Sequence, residues 1–299
     1  MRRGSRSPSH RWRAAPALVL LLALAAHAGP ATPAPPVAAA PEPLAGAQAV
    51  LDARSEAVRR GDRAAFLHTV DPAAPAGFRQ AQGRQFDGLR SLPLATYALR
   101  ASTDDTGDLS AGLADRYGDA HEVFLPETRQ VYRLEGFDDR DAVDHLWLTF
   151  VRRDGRWYVG GDTDLEGLGF ETDRQLWDSG PVRVERTEHV LVLSHPEQAE
   201  RAAALAAIVE EAVAVFSGRW DRPWSGHVPV VLPGSVDELE RLLESTVDLD
   251  KFVAFAGYRV LPDEDFDASS PRVFIQESRL GRYGREQQVE TLVHELVHV

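Results

Sequence analysis

The side chains whose types and spacing could perform chemistry lie in REQQVETLVHELVHV, residues 285–299. His294 and His298 are four residues apart, so on a helix the two imidazoles lie within about 40° of each other. Glu295 follows the first histidine and completes the pattern H-E-x-x-H. In this pattern the two histidines bind zinc, and the glutamate moves a proton of the water that the metal activates.

The residues around this motif predict a helix with one buried side. Five apolar residues follow the i, i+3, i+4, i+7, i+8 spacing of an amphipathic helix and are expected to form its buried stripe. They are Val289, Leu292, Val293, Leu296 and Val297. Gly281 and Gly284 predict a turn before the helix, and Val273–Ile275 predicts a strand before that turn. A strand, a turn and a helix in this order are typical of a zinc-peptidase cleft.

The segments RVFIQ (residues 272–276) and TLVHELVHV (residues 291–299) resemble the zincin metallopeptidases, and within them the gluzincin, peptidase-MA-like branch. The resemblance implies a Zn²⁺ cofactor bound by His294 and His298, with Glu295 as the catalytic residue. It also implies that the substrate is a peptide or protein. The longer metzincin pattern H-E-x-x-H-x-x-G-x-x-H is not present.

A catalytic zinc site normally has three protein ligands and a water molecule. Gluzincins take the third ligand from a glutamate on a helix well downstream of the motif, which here would lie beyond Val299. We therefore expect the chain to be a fragment that ends just after the motif and is inactive as given. Glu286 and Glu290 precede His294 by about two turns and one turn, so both lie too far along the helix axis to bind the same metal.

Residues 180–299 are predicted to form this zincin-like metallopeptidase domain, incomplete at its C-terminus. Capping-box spacing at Ser194–Glu197 and Ser235–Glu238 predicts the starts of two helices, the first of which is long and ends at Gly218. The resemblance implies that Val273–Gln276 is the edge strand to which an extended peptide substrate is added. The predicted strands are Val182–Leu193, Val228–Leu232, Phe252–Val260 and Arg272–Gln276.

Residues 45–170 show helical spacing first and strand patterns afterwards, with a hairpin signal at Asp154-Gly155. The predicted strands are Ala95–Ala101, His121–Leu134, His145–Arg152 and Trp157–Gly160. This order resembles the nuclear-transport-factor-2-like (cystatin-like) α+β roll, whose curved sheet can form a pocket. Conceivable pocket residues are His68, Asp71, His121 and His145, although each is expected to be an ordinary surface or hydrogen-bonded group. Trp147, Trp157 and Tyr158 are expected in the core.

Residues 1–28 have the features of a secretory signal peptide. Five arginines precede an apolar run at Ala17–Ala26, and Ala26-His27-Ala28 fits a cleavage site. The run is shorter than the about 20 apolar residues of a transmembrane helix. We therefore expect a secreted protein, and the alternative is an anchor formed by an uncleaved N-terminal segment. Residues 29–44 are rich in Pro and Ala and are expected to be a linker.

The composition indicates an acidic globular protein. Cysteine is absent, which excludes disulfides, thiolate metal sites and a cysteine nucleophile. Removing residues 1–28 takes away five arginines and no acidic residue, so the net charge of −13 becomes −18. A surface this acidic argues against nucleic acid and anionic membranes as partners, and we expect no stable membrane association.

The sequence therefore predicts an α+β protein in which a cystatin-like α+β roll is followed by the N-terminal half of a zincin-like catalytic domain. The predicted function is that of a secreted zinc-dependent metallopeptidase. Two alternatives stay open: the histidines can lie on an ordinary surface helix with Glu295 solvated, or the chain can be a non-catalytic secreted binding protein that uses the roll. The sequence does not indicate an oligomeric state.

Overall fold

A computed structural model of the chain describes residues 42–102, 113–243, 249, 252–257 and 270–299. The described residues all belong to one compact unit, Ala40–Val299. The predicted signal peptide and almost all of the predicted linker lie outside them. The described residues combine helices with small sheets, so the fold is mixed α and β, as an α+β protein requires. Among these residues, no helix is long and apolar enough to cross a membrane.

The described elements form three sheets and the helices that cover them. The helices are α1 (Glu42–Arg60), α2 (Arg63–Leu67), α3 (Ala76–Leu89), α4 (Leu176–Ser179), α5 (Ala199–Ser217), α6 (Val236–Leu243), α7 (Glu277–Leu280) and α8 (Arg285–Leu296). The strands are β1 (Leu94–Ala101), β2 (Glu122–Phe124), β3 (Glu127–Leu134), β4 (Ala142–Trp147), β5 (Thr149–Arg153), β6 (Arg156–Gly161), β7 (Arg183–Arg186), β8 (Val190–Ser194), β9 (Val228–Leu232), β10 (Ala254–Gly257) and β11 (Arg272–Ile275). The strand orders in the sheets are β1-β3-β4, β2-β5-β6 and β10-β11-β9-β8-β7.

The first helix begins earlier than predicted and buries a charged residue. It starts at Glu42, three residues before the predicted start of the globular part at Ala45. Arg54, which interrupts its apolar stripe, is buried, with its guanidinium 3.9 Å from the ring centre of Phe66. The same group donates to Thr69 Oγ1 at 3.0 Å. Arg54 is therefore a hydrogen-bonded core residue. Burial lowers its pKa to about 10.

The hairpin predicted at Asp154-Gly155 is confirmed. Arg153 pairs with Arg156 across the turn. Asp154 and Gly155 have φ angles of 50° and 76°, which are the left-handed conformations that a type I′ turn requires. The hairpin joins β5 to β6, which confirms the strand predicted at Trp157–Gly160.

Two other strands predicted in this half are each divided. The predicted strand His121–Leu134 contains β2 and β3, which belong to different sheets. Pro126 lies between them and has no N–H to donate to a ladder. The predicted strand His145–Arg152 contains the end of β4 and most of β5, interrupted at Leu148. The strand predicted at Ala95–Ala101 is confirmed as β1.

The three central strands of the five-stranded sheet are buried on both faces. Strands β8, β9 and β11 run parallel, and β7 and β10 are antiparallel to their neighbours. All residues of Val190–Ser194 and Val228–Leu232 are buried, which explains their continuous apolar sequences. Leu193 faces a core shared with the first two sheets and α1–α3, and Val192 faces a core shared with α5 and α8. The sheet therefore links the N-terminal helices to the helix that carries the zinc motif.

The predicted edge strand Val273–Gln276 is wrong. Within the described residues, β11 lies inside the sheet and β10 forms the edge beside it. Strand β10 belongs to the predicted strand Phe252–Val260, whose last three residues lie outside the described part. The single strand predicted at Val182–Leu193 is also wrong, because this segment forms the hairpin β7–β8. A local pattern indicates that a strand is buried, whereas its neighbours are decided by tertiary packing.

The long helix α5 forms as predicted, with Gly218 at its C-terminal end. Its start differs from the prediction. Ser194 is the buried last residue of β8, so the capping box predicted at Ser194–Glu197 is wrong. His195 takes the N-cap position of the 3-10 turn before α5, and its backbone N–H donates to Gln198 Oε1 at 3.4 Å. The N-cap therefore lies one residue later than predicted, because Ser194 belongs to strand β8.

Glu238 ties the start of α6 to the segment before α5. Ser235 Oγ accepts from the backbone N of Glu238 at 3.1 Å, which confirms half of the second predicted capping box. In a complete capping box the Glu238 carboxylate would accept from the backbone N–H of Ser235. It accepts from Gly234 N at 2.7 Å and lies 3.0 Å from His195 Nε2. The hydrogen bond to Glu238 raises the pKa of His195. Burial alone would raise the pKa of Glu238, but its hydrogen bonds from His195 and Gly234 lower it to about 2.

Replacing Glu238 with Gln should destabilise the protein in a pH-dependent way. The pKa of His195 is raised in the folded protein, so its pairing with Glu238 stabilises the fold fully below the ordinary histidine pKa of 6.5. This stabilisation is lost as pH rises through the pKa of His195 in the folded protein. The pKa of Glu238 is lowered in the folded protein, so the ionised carboxylate stabilises the fold fully above pH 4.5. This stabilisation is lost as pH falls toward about 2. The difference in unfolding free energy between wild type and Glu238→Gln should therefore be largest between about pH 4.5 and pH 6.5. Urea unfolding at several pH values measures it, and a difference independent of pH would contradict the pairing.

A buried ion pair joins the turn between β3 and β4 to the five-stranded sheet. Arg272, the first residue of β11, donates to the two carboxylate oxygens of Asp138 at 2.6 and 2.8 Å. The Asp138 side chain is 0% exposed and that of Arg272 is 9% exposed. Asp138 also accepts from Leu134 N at 2.8 Å. Because removing either partner would leave a charge buried without its counter-ion, the pair fixes the position of the turn on the sheet.

Asp138→Asn should lower the free energy of unfolding by about 3–5 kcal/mol, because it leaves the Arg272 charge buried and unpaired. The matched control is Glu211→Gln, which breaks the ion pair between Arg285 and Glu211, whose side chains are 48% and 50% exposed. This exposed pair should contribute less than about 1 kcal/mol. Urea unfolding measures both variants, and equal losses would show that the buried pair has no special role.

Candidate metal centre

The helix that carries the H-E-x-x-H motif packs against the rest of the protein through one apolar side. It begins at Arg285 after the N-cap residue Gly284, as the predicted turn requires. Its buried residues are Val289, Leu292 and Leu296, and Val293 is partly buried. These residues pack into the core that α5 and the five-stranded sheet share. The predicted stripe is therefore confirmed along the body of the helix.

The stripe ends one residue earlier than predicted. Val297 is 50% exposed, because the helix ends at Leu296 and Val297 is its C-cap. Val297 N donates to His294 O at 3.1 Å, and His298 N donates to Glu295 O at 3.0 Å. These i→i−3 bonds tighten the last turn, as is common at helix ends. His298 therefore lies in the turn directly after the helix.

The two histidines of the motif lie side by side at the surface. Both are exposed, and their ring centres are 5.3 Å apart with the ring planes at 75°. Two imidazoles bound to one tetrahedral zinc through Zn–N bonds of about 2.0–2.1 Å have ring centres about 5 Å apart. The spacing of His294 and His298 therefore fits two ligands of one zinc ion.

Glu295 faces β10, which is the edge strand of the five-stranded sheet within the described residues. Its Oε2 accepts from the backbone N–H of Ala256 in β10 at 2.9 Å. Since the N–H groups of successive strand residues point to opposite sides, this N–H points away from β11. The carboxylate therefore lies where an extended peptide could pair with the sheet. The sequence gives no local signal for Ala256, because the contact joins residues 39 positions apart.

The third zinc ligand is not found among the residues that the structure describes. Within these residues, no group of three or more His, Asp or Glu side chains could hold one metal ion. Glu286 and Glu290 are exposed on α8. The donor set described here therefore consists of two imidazoles, and the position of a third ligand stays a prediction.

The candidate pocket residues of the first half take part in ordinary structural contacts. Asp71 is buried and accepts from Arg153 Nε at 2.9 Å. The other three are His68, with Nε2 2.8 Å from Arg156 Nη1; His145, with Nδ1 2.7 Å from Glu127 Oε1; and the exposed His121. Of the aromatic residues expected in the core, Trp157 is buried, whereas Trp147 and Tyr158 are half-buried.

Comparisons with known proteins return no match, whether the chain is scanned against protein-family models or compared with curated proteins and solved structures. The candidate metal centre is therefore assigned from its own residues and geometry. It brings together two imidazoles at the spacing of zinc ligands, a carboxylate next to them and the edge of a sheet.

The contact between Glu295 and Ala256 should protect one backbone amide from exchange with solvent. In Glu295→Ala the N–H of Ala256 loses its acceptor, so it should exchange at least about tenfold faster. Glu295→Gln is the matched control, because its amide oxygen can still accept this hydrogen bond. Hydrogen–deuterium exchange of residues 252–257, followed by mass spectrometry, measures the effect. Unchanged exchange in Glu295→Ala would mean that the contact does not form in solution.

Proposed function

We propose that this protein is a secreted zinc metallopeptidase of the gluzincin kind, with an α+β roll as its accessory part. The observation that supports the proposal most is the contact of Glu295 with the edge strand, next to two exposed imidazoles 5.3 Å apart. A metal site, a proton acceptor and a peptide-binding edge are the three parts that hydrolysis of an extended peptide requires.

In this proposal each residue of the motif has its own task. His294 and His298 would hold zinc as neutral imidazoles. When bound, zinc supplies Lewis acidity, which polarises the scissile carbonyl and lowers the pKa of water. Glu295 would accept a proton from the attacking water and deliver it to the leaving amine.

The edge strand would position the substrate for this chemistry. An extended peptide that pairs with β10 has its backbone fixed by hydrogen bonds at regular intervals. Ala256 N–H, which Glu295 contacts, lies on this edge. Pairing would therefore bring a peptide group next to the Glu295 carboxylate. Orientation of this kind lowers the activation barrier of hydrolysis, because translational and rotational entropy is lost on binding and not in the reaction step.

The remaining parts of the proposal follow from the resemblance and from the N-terminal sequence. The gluzincin resemblance assigns the third ligand to a glutamate that follows the motif, so the complete gene product is the protein to assay. The signal-peptide features of residues 1–28 support secretion. The substrate class is a peptide or protein.

Glu295→Gln in the complete gene product should keep bound zinc and lose hydrolysis. Its amide cannot accept the proton of the attacking water, so peptide hydrolysis should fall by about 10²–10⁴-fold. Zinc content by mass spectrometry and cleavage of a fluorogenic peptide library measure the two properties. The matched control is Glu290→Gln, which removes an exposed charge one turn earlier on the same helix and should change neither.

The two ligands are tested by His294→Ala and His298→Ala, each of which should lose stoichiometric zinc. Full zinc content in both variants would show that the metal is bound elsewhere. Hydrolysis that persists in Glu295→Gln at the wild-type rate would contradict the proposed mechanism.

A further inference from the structure

A cavity of 420 Å³ lies between helices α3, α4 and α6. Its volume is within the range of about 300–1,000 Å³ that is typical of pockets for small ligands. One wall is formed by α3 and by α4 with the two residues before it, and the other wall is formed by α6. The described residues that line it include none of the H-E-x-x-H motif and none of β10, so it is separate from the metal centre.

Close packing holds the walls of this cavity in place. Gly88 of α3 lies so near α4 that a Cβ at this position would be 2.6 Å from the backbone oxygen of Trp177. Gln85 Nε2, on the same helix, donates to Asp178 Oδ1 at 2.8 Å. Trp177 and Leu242 of α6 belong to one hydrophobic core. The walls are therefore preorganised, and a ligand would bind without the entropic cost of ordering them.

The two carboxylates that line the cavity already have partners. Asp178 accepts from Gln85 Nε2 and from the backbone N of Gln175, each at 2.8 Å. Glu238 lies 3.0 Å from His195 Nε2, in the pair described for the start of α6. Neither carboxylate needs a further cation from the lining to satisfy its oxygens.

Three arginines line the cavity, and two of them are unpaired. Arg174 Nη1 donates to Asp162 Oδ2 at 2.7 Å. Arg84 and Arg241 are exposed, and within the part of the chain that the structure describes neither makes a hydrogen bond or an ion pair. Arg84 lies on α3 and Arg241 on α6, so the two guanidiniums face one cavity from different walls. Two like charges that share a cavity repel each other, whereas an anion between them would be attracted by both.

The lining carries three arginines and two carboxylates, whereas the whole protein has a net charge of −13. The cavity is therefore a positive region of an otherwise acidic surface, and such a region concentrates anions. A guanidinium presents its N–H donors as a planar fork that matches the paired oxygens of a carboxylate or a phosphate. Two such forks with no partner are suited to an anion that carries two charges.

We propose that this cavity binds a small organic anion with two negative charges, a dicarboxylate or a phosphate monoester, between Arg84 and Arg241. Both classes present the oxygen atoms that guanidinium groups recognise. The inference is independent of the proposed peptidase activity, because the cavity shares no residue with the metal centre. Arg84 belongs to the first half of the chain and Arg241 to the second, so the bound anion would connect the two halves and stabilise the folded protein.

The test is isothermal titration calorimetry of the complete gene product with three probes: succinate, glycerol 3-phosphate and acetate. Ionic strength is kept constant, because salt screens the attraction between charges. Succinate or glycerol 3-phosphate should bind at least about tenfold more tightly than acetate, which has a single charge. The tighter of the two identifies the class of anion.

Arg84→Gln and Arg241→Gln should each weaken binding of the tighter anion at least about tenfold, because each removes one of the two charges. The matched control is Arg100→Gln, which removes an exposed arginine outside the cavity and should leave the affinity unchanged. All three positions are exposed, so the variants are expected to fold.

The proposal is overturned if neither succinate nor glycerol 3-phosphate binds more tightly than acetate. It is also overturned if the affinity survives both cavity substitutions. Equal weakening in Arg100→Gln would show that anions respond to the overall charge of the protein and not to this cavity, which contradicts the proposal as well.

Discussion

The buried ion pair between Asp138 and Arg272 is the constraint on which the arrangement of the site depends. Neither charge can be moved into water or left alone without a large loss of stability, because the Asp138 side chain is 0% exposed and that of Arg272 9%. Arg272 begins β11, so the pair fixes one end of the strand beside the edge strand. Asp138 lies in the turn between β3 and β4. A single interaction therefore positions the turn relative to the strand that lies beside the edge strand.

The packing of the five-stranded sheet extends this constraint to the zinc motif. Because its three central strands are buried on both faces, the sheet cannot shift without disturbing two cores. Helix α8 packs on one of these faces through Leu292 and Leu296, and its other side presents His294 to solvent. Glu295 lies between these two sides and reaches the backbone of β10. One side of α8 is therefore fixed by packing, and its other side is exposed.

Features with local signals could be predicted from the sequence, and features set by distant contacts could not. The Asp154-Gly155 hairpin and the start of α8 after Gly284 follow from turn chemistry and helical periodicity, which involve only neighbouring residues. The edge position of β10 could not be predicted, because strand order depends on packing. The same holds for the Asp138–Arg272 pair, whose residues are 134 positions apart. The motif could therefore identify its own residues, whereas Ala256, its partner on the sheet, required the structure.

The proposed peptidase activity depends most directly on whether His294 and His298 bind one zinc ion. Anomalous X-ray diffraction at the zinc absorption edge, from crystals of the complete gene product grown with zinc, measures this without reference to any activity. We expect one strong peak about 2.0–2.1 Å from a ring nitrogen of each histidine, with Glu295 close to but not bound to the metal. The same map would reveal the third ligand directly. Zinc bound elsewhere, or histidines without a peak between them, would contradict the metallopeptidase assignment.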